Sequence, residues 1–537
     1  MTPWPPPSLG RAPRPSRRQV LLGGAALGVT GLLAGCGDGR ATAGPQRVMP
    51  DSAAVVQGEA RHRSATARVR HATLTPRAGQ VDLGSRQVST WSFDGAVPGK
   101  LLRAEAGEVL HVRVDNQLSV PTTVHWHGLA LRNDMDGVPN LTQPSIPAGT
   151  AVDYEFALRA PGTYWYHSHV GLQRDRGLYG PLIVDDPHDP GGYDVEYVVL
   201  LDDWIDGVAA SPEQVLTSLQ QGGSQARFQT PVPAGRVGAP AGPSPAPPGT
   251  DPMSLAPGLG DQIEYPFYLL NGRMPTAPET FTARPGQRAR IRLINASAAT
   301  VFRVAVGAHR LTVTHTDGYP VVPVEVDAVR LASGERYDVT VTLKDGVFPL
   351  CAVAEGRGAQ ALGLIRTGSG QAPPATVQPR ELSGRLLDAH QMQADAGVLL
   401  DRRPPDVTRN VYLTGDMMAY QWHIDGNGYD MARPFHGIDP LPVRSGDRVR
   451  YVLVNQTPMY HPIHLHGHTF QLSATGSIGQ APGTALPEGA RKDTVMVAPN
   501  QKLAIDFDAD NPGQWLAHCH NAYYLATERA PIVSYLQ

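Results

Sequence analysis

The sequence predicts an all-β protein built from three β-sandwich domains, and three observations support this prediction. A run of alternating apolar and charged residues, opened by a glycine and closed by an asparagine, recurs three times along the chain. This alternation has the two-residue period of a half-buried strand. Glycine and proline punctuate the predicted strands, and no long amphipathic helix is evident. With 537 residues, the chain is long enough for several domains with cores of their own.

The repeats also indicate which domains contain candidate metal ligands. They span three segments, in each of which the asparagine lies nine residues after the glycine: Gly107–Asn116, Gly286–Asn295 and Gly446–Asn455. Nine residues further on, the first and third repeats reach His125 and His464, each of which begins a His-x-His, whereas the second reaches Val304. We therefore expect candidate ligands in the first and third domains and a spacer between them.

The predicted domain boundaries follow from the repeats and from changes in composition. Residues 220–260 are rich in proline and glycine and are predicted to form a long exposed insertion in the second domain. The predicted segments are a signal at 1–36, a flexible tether at 37–65, domain 1 at 66–190, domain 2 at 191–367, a connector at 368–405 and domain 3 at 406–537.

The first 36 residues are interpreted as an export signal and excluded from the fold. Arg17 and Arg18 resemble a twin-arginine signal, and the apolar run that follows is too short for a typical membrane span. Cys36 ends a sequence that resembles a lipoprotein cleavage site, the alternative being an incidental patch of small residues. The sequence thus predicts an exported lipoprotein on the extracytoplasmic face of the membrane, which it contacts only through a lipid on Cys36.

Composition narrows the choice of partners. The net charge is -3 and only 18% of residues are charged, so nothing indicates a nucleic-acid-binding surface. Small molecules and metal ions are the expected partners. Because three covalently joined domains can close a shared site within one chain, a monomer is expected.

Histidines form four clusters in the first and third domains. In a strand, residues i and i+2 point to the same face, so each His-x-His presents two imidazoles together. A thiolate between two histidines favours copper over zinc, because soft sulfur and imidazole ligands suit copper. Other histidines, including His423, His436 and His468, are interpreted as surface or core residues. The clusters contain His125 and His127; His167 and His169; His461, His464 and His466; and His518, Cys519 and His520.

With these clusters, residues 66–537 resemble the multicopper oxidases, in particular the three-domain, laccase-like bacterial enzymes of the actinobacterial lipoprotein type. The resemblance implies three cupredoxin-like Greek-key β-sandwiches and a trinuclear copper cluster between domains 1 and 3. It assigns His125 and His464 to a single type 2 copper. The ligands that it implies for the type 3 copper pair are His127, His167, His169, His466, His518 and His520.

Asp136 lies nine residues after His127 and resembles the acidic residue that relays protons to the cluster in this family. The equally weighted alternative is an aspartate in a turn before Gly137. Cys351, at a strand position of the second domain, is interpreted as a small buried apolar residue.

The resemblance also implies a blue type 1 copper in domain 3, and here the chain departs from the family. His461 and Cys519 match two of its ligands. In the family, electrons pass through this cysteine to the histidines on either side of it. Tyr524 and Arg529 stand where the second histidine and the axial methionine are expected. A phenol has a pKa of about 10 and must lose a proton to bind a metal, and arginine has no lone pair to donate. We refer to these four residues as the type 1 position.

The resemblance therefore implies an oxidase that couples one-electron oxidation of phenols, aromatic amines or ferrous iron to reduction of dioxygen to water. The substitutions at Tyr524 and Arg529 predict a defective type 1 copper and impaired turnover. Two alternatives stay open: a fully active oxidase in which Tyr524 or another, unidentified residue completes the site, and a non-enzymatic copper-binding or scaffold protein.

Overall fold

The computed structural model of the protein describes residues 46–222, 263–426, 430, 433–435, 440–480, 483–528 and 530–537. The predicted signal with Cys36, nearly all of the insertion at 220–260, and Arg529 lie outside the described residues. Within them, strands dominate, so the all-β prediction is confirmed. None of the described helices is long and apolar enough to span a bilayer.

Domain 1 forms three sheets with the strand orders β1-β5-β7, β2-β3 and β4-β9-β8-β6. A short helix, α1 (Ala53–Ala60), precedes them. The strands are β1 (Val69–Leu74), β2 (Pro76–Asp82), β3 (Gln87–Phe93), β4 (Leu102–Glu105), β5 (Val109–Asp115), β6 (His125–His127), β7 (Ala151–Ala157), β8 (Gly162–His167) and β9 (Tyr179–Asp185).

Domain 2 is a sandwich of two six-stranded sheets with the orders β11-β10-β13-β18-β15-β16 and β12-β20-β19-β14-β17-β21. Helix α2 (Pro212–Gln220) follows β10 and begins with a capping box at Ser211. The strands are β10 (Val195–Trp204), β11 (Phe267–Leu270), β12 (Glu279–Thr282), β13 (Arg288–Asn295), β14 (Phe302–Val306), β15 (Leu311–Thr316), β16 (Tyr319–Val326), β17 (Ala328–Leu331), β18 (Arg336–Thr342), β19 (Val347–Ala354), β20 (Gln360–Arg366) and β21 (Leu386–Leu387).

Domain 3 repeats the two-sheet arrangement, with β23-β22-β25-β31-β27-β28 facing β24-β33-β32-β26-β30 and β29 paired to β27. Helix α3 (Ala522–Leu525) follows β32. The strands are β22 (Val407–Asp416), β23 (Gln421–Ile424), β24 (Leu441–Val443), β25 (Arg448–Asn455), β26 (His461–Leu465), β27 (Phe470–Ser477), β28 (Thr484–Ala485), β29 (Arg491–Lys492), β30 (Thr494–Val497), β31 (Gln501–Asp508), β32 (Gln514–Cys519) and β33 (Ile532–Tyr535).

Short 3-10 helices complete the chain, two in domain 1 and three between domains 2 and 3 among the described residues. They are Asn133–Met135, Gln173–Arg176, Arg380–Ser383, Ala389–Gln391 and Ala396–Val398.

The recurring glycine and asparagine have the same structural role in all three domains. Each glycine adopts a positive φ, +90°, +82° and +94° in chain order, in the turn before the strand. Each asparagine is buried at or just after the strand end, where it accepts from the N–H two residues later and donates to at least two backbone carbonyls, as buried polar groups require. The carbonyl partners are Val120 and Ile146 for Asn116, Thr300 and Leu331 for Asn295, and Met459 and Val497 for Asn455.

The prediction of a flexible tether at 37–65 is wrong for its described part, residues 46–65. Val48 donates its N–H to Tyr535 O at 2.8 Å, which attaches this segment to the last strand. Glu59 in α1 is buried and accepts the Ala157 N–H at 2.7 Å. Polar composition suggested a tether, but these long-range contacts compensate the entropy lost on ordering.

Candidate metal centre

Four strands bring the histidines of domains 1 and 3 together. In domain 1, His125 on β6 pairs in register with His167 on β8. In domain 3, His464 on β26 pairs with His518 on β32. All eight side chains that the resemblance assigned to the trinuclear cluster are buried, and we call them the histidine cluster: His125, His127, His167, His169, His464, His466, His518 and His520.

Within the histidine cluster, the nitrogens form three groups whose donor atoms lie within 4.8 Å of one another. Each group mixes residues of both domains. Two of the groups together contain the six histidines assigned to the type 3 copper pair. The third group contains both histidines assigned to the type 2 copper. The groups are His127, His167 and His520; His169, His466 and His518; and His125, His127 and His464.

Hydrogen bonds hold the ring nitrogens that point away from the centre of the cluster, which we call outward. The nitrogens that point towards the centre, which we call inward, are then available to bind a metal. A carbonyl can only accept, so each Nδ1 that faces one must carry the proton, and Nε2 then keeps its lone pair. The carbonyl partners of Nδ1 are Asp136 for His125 at 2.8 Å, Ser168 for His167 at 2.9 Å, Asp493 for His464 at 2.9 Å and Cys519 for His518 at 2.8 Å.

Five inward nitrogens are buried without any hydrogen-bond partner, an arrangement that is costly unless a ligand fills it. They are Nε2 of His125, His167, His169 and His464 and Nδ1 of His127. Burial, reinforced by the neighbouring histidines, holds the pKa of His127 and His167 well below the usual value and lowers that of His169 to about 3. These rings are therefore neutral, which is the form that binds a metal.

Asp136 joins the two domains at the histidine cluster. It is fully buried, and its Oδ2 accepts from His466 Nδ1 at 2.9 Å while its Oδ1 lies 3.2 Å from His125 Nδ1. Asp136 also ends a 3-10 turn before Gly137, whose φ is +80°. The turn aspartate that the sequence offered as the alternative is present, and the carboxylate also contacts one ring from each domain.

The donor set suits copper. Converging neutral imidazoles are good ligands for copper, and Cys519 adds a soft sulfur next to His518 on β32. The inward nitrogens converge and have no hydrogen-bond partner, so a metal ion fits among them.

Comparison with known proteins agrees with this geometry. Three profiles of the multicopper oxidase family match residues 77–189, 196–369 and 402–530. The chain is 44% identical over 522 residues to multicopper oxidase MmcO of Mycobacterium tuberculosis, covering 97% of each chain. The chain belongs to the multicopper oxidase family. It is an oxidoreductase of the three-domain laccase-like type whose cofactor is copper.

More distant relatives support the same assignment. A copper resistance protein A homolog of Pseudomonas syringae is 29% identical, with 84% of this chain and 90% of the relative covered. The crystal structure of a laccase from Botrytis aclada matches with a TM-score of 0.69 and 26% identity over 88% of each chain. The three sandwiches are thus cupredoxin-like, as expected.

The type 1 position differs from the histidine cluster of this multicopper oxidase. His461 and Cys519 are both buried on the strands that carry His464 and His518. Burial lowers the pKa of His461 to about 3, and its Nε2 lies 2.8 Å from Thr457 Oγ1. Among the residues that the structure describes, neither His461 nor Cys519 belongs to a group of three closely spaced metal donors.

Tyr524 fills the place of the expected histidine with an aromatic stack. It lies on α3, whose first turn is capped by Asn521, which accepts from the N–H groups of Tyr523 and Tyr524. The phenol ring packs on Trp422 with centroids 4.2 Å apart, and its centroid is 5.3 Å from that of His461. The stack buries the phenol beside the two remaining ligands.

Glu528 is a feature of the type 1 position that the sequence did not reveal. Its carboxylate is buried, with both oxygens 3.3 Å from the Cys519 N–H. Burial raises the pKa of Glu528 to about 8. Burial, with Glu528 adding to it, also raises the pKa of the Cys519 thiol well above its usual value. The raised pKa of the thiol opposes formation of the thiolate that copper requires.

Two further contacts to the histidine cluster were missed because their partners lie far apart in sequence. Arg174 is buried and donates from Nη2 to His520 O at 2.7 Å, with Nη1 2.7 Å from His520 Nδ1. Asp493 lies 3.2 Å from His127 Nε2 although 366 residues separate them. No local pattern distinguishes either residue from an ordinary surface charge.

Proposed function

We propose that this oxidase couples the one-electron oxidation of a small reductant to the reduction of dioxygen to water, and that its type 1 position holds no normal blue copper. The observation that carries the second part is the pair of side chains around Cys519. Tyr524 supplies a stacked phenol where an imidazole is needed, and Glu528 places a carboxyl group against the cysteine. Turnover is then limited by electron delivery, while the histidine cluster has its full set of ligands.

The chain contributes binding, orientation and proton transfer at the cluster. His125 and His464 would hold the type 2 copper, and the other six histidines the type 3 pair. Copper so bound would pass electrons from the reductant to dioxygen. Asp136 contacts His125 and His466 and is the residue proposed to pass protons to the reduced oxygen.

Cys519 lies between His518 and His520, so it would provide a covalent route from the type 1 position to two of the histidines that would hold the type 3 copper pair. The route is intact in this chain. What is altered is the set of ligands at its outer end, Tyr524 in particular.

The reductant proposed is a phenol, an aromatic amine or a metal ion such as ferrous iron. Relatives that bear the name laccase, and a structure described as a multicopper oxidase that functions in iron import, support this range. The proposed location is the extracytoplasmic face of the membrane, reached through a twin-arginine signal with Cys36 as the lipid anchor, and the proposed state is a monomer.

The test is a visible and electron paramagnetic resonance spectrum of the purified, copper-loaded protein, with copper measured per chain. We expect about three copper ions per chain, the number that a trinuclear cluster holds, and a type 2 signal without intense blue colour. Intense blue colour, four coppers and steady oxygen consumption with a phenol would show an ordinary oxidase instead. Failure to take up any copper would favour the non-enzymatic scaffold.

A further inference from the structure

Domain 2 provides no copper ligand, yet one of its loops lies directly against the histidine cluster. Gly334, just before β18, has a φ of +89°, and a Cβ at this position would lie 2.9 Å from His520 Cγ and 3.2 Å from His127 Cε1. The neighbouring Ser333 Oγ is 3.0 Å from His520 Nδ1. The expectation that this domain is only a spacer is therefore incomplete.

A buried ion pair beside the cluster joins domains 2 and 3. Arg336, the first residue of β18, donates from Nη1 and Nη2 to the two carboxylate oxygens of Asp493 at 2.7 and 2.6 Å. Both side chains are fully buried. Although burial opposes the charge, Arg336 holds the pKa of the Asp493 carboxyl well below its usual range. Such a bidentate pair fixes orientation as well as distance.

A second domain 2 residue holds the backbone of the same segment. Asp317 Oδ2 accepts from the N–H groups of Asp493 at 3.2 Å and Thr494 at 3.1 Å. Its Oδ1 accepts the Arg336 N–H at 2.8 Å, so the two domain 2 residues also fix each other. Lys492 Nζ lies 3.2 Å from Asp317 Oδ2 as well.

The segment so held makes direct hydrogen bonds to two cluster histidines. His464 Nδ1 donates to Asp493 O at 2.9 Å, and Thr494 Oγ1 lies 3.1 Å from the same nitrogen. His127 Nε2 lies 3.0 Å from Thr494 Oγ1 and 3.2 Å from Asp493 Oδ1. The two rings stack at 3.8 Å, one from each ligand-bearing domain. Asp493 and Thr494 therefore determine which nitrogens of His127 and His464 face the metal.

We propose that Arg336 and Asp317 are positioning residues of domain 2 that set the orientation of His464, assigned to the type 2 site, and of His127, assigned to the type 3 pair. Through His464 they contribute to the copper affinity of the type 2 site. Outer partners of metal-binding histidines typically contribute roughly 10- to 100-fold to metal affinity. The inference rests on copper binding at the histidine cluster and is independent of the state of the type 1 position.

The variant that tests this proposal is Arg336→Lys in the full chain, because lysine keeps the charge but cannot make the bidentate contact. The matched control is Arg330→Lys. Arg330 is also a buried arginine of domain 2, and it pairs with Glu355 and Asp388 instead of Asp493. The readouts are copper affinity by chelator competition, the type 2 resonance signal and the unfolding temperature.

For Arg336→Lys we expect a roughly 10- to 100-fold loss of type 2 copper affinity and an altered type 2 signal, with neither change in the control. Copper affinity and spectra equal to those of Arg330→Lys would overturn the proposal. If Arg336→Lys does not fold, Asp317→Asn is measured instead, with the same changes expected at smaller size. Failure of both to fold beside a folded control would show that the contacts only join the domains.

These outcomes differ from those that bear on the proposed function. An unmodified protein that binds no copper would refute the copper oxidase itself. Normal copper uptake with unaffected variants would refute only the role of domain 2.

Discussion

The histidine cluster and the type 1 position are built on the same two strands of domain 3. They differ in how completely their side chains match the ligands that copper requires. Along β26 and β32, alternation directs His464 and His518 to the cluster and Cys519 to the opposite face. At the cluster, the rings are buried and fixed by hydrogen bonds. At the type 1 position, His461 and Cys519 face a stacked tyrosine and a buried carboxyl group.

Under the proposed function, one strand pair keeps one metal site while the other is altered, because the two sites draw their remaining ligands from different segments. The cluster obtains the rest of its ligands from domain 1, whereas the type 1 position depends on residues 524–529 just after β32. Changes in that short segment leave the strand register, and with it the cluster, intact.

The largest effect is expected from restoring the type 1 position. Tyr524→His combined with Arg529→Met and Glu528→Gln should produce intense blue colour and raise phenol oxidation at least about tenfold, which corresponds to about 1.4 kcal/mol of activation free energy. Without the Glu528 change the gain should be smaller, because the carboxyl group still opposes the Cys519 thiolate. Visible spectra and oxygen uptake measure both effects.

The control for this restoration is Tyr524→Phe, which keeps the stack on Trp422 and adds no ligand. It should stay colourless. A triple variant without blue colour would mean that residues beyond these three also prevent the type 1 position from binding copper. The difference from the histidine cluster would then involve more residues than Tyr524, Glu528 and Arg529.

An intermediate effect is expected in the pH dependence of stability of the copper-free protein. The pKa of Glu528 is about 8 in the folded chain, and that of an unfolded glutamate is about 4.3. As the pH rises between these values, the unfolded chain loses its proton first, so the stability present below about pH 4.3 is lost progressively towards pH 8. The slope reaches about 1.4 kcal/mol per pH unit.

Glu528→Gln removes this titration. Chemical denaturation from pH 5 to 8 should therefore show a flatter profile for the variant and greater stability at pH 8 than for the unchanged protein. Parallel profiles for the two would indicate that the carboxyl group is solvated and does not oppose the thiolate.

The smallest effect is expected in domain 2, at the other free cysteine. Cys351 is fully buried on β19, with Sγ 3.6 Å from Val377 O, and burial raises its pKa to about 12. Cys351→Ala should cost about 1 kcal/mol of stability and leave copper content and the type 2 signal unchanged. Chemical denaturation measures the stability of this variant, and metal analysis measures its copper content. Loss of copper would contradict the interpretation of Cys351 as a buried apolar residue with no part in copper binding.

Much of the fold and of the cluster could be predicted from the sequence because their signals are local. The spacing from Gly107 to Asn116 and on to His125 reflects one strand, its buried cap and the strand that follows. Two-residue alternation likewise identified the histidine pairs. The ordered segment at 46–65 was not predicted, because it is held by Glu59 and Val48 through partners about 100 and nearly 490 residues away.

By itself, the sequence determined the all-β class, the eight cluster histidines and the substitutions at Tyr524 and Arg529, because each is a matter of residue type at a fixed spacing. Only the tertiary structure decided what surrounds them. It placed Glu528 against Cys519, stacked Tyr524 on Trp422 and brought Arg336 of domain 2 to Asp493 beside the cluster. These contacts join residues from separate strands and domains, and packing rather than local periodicity determines which of them meet.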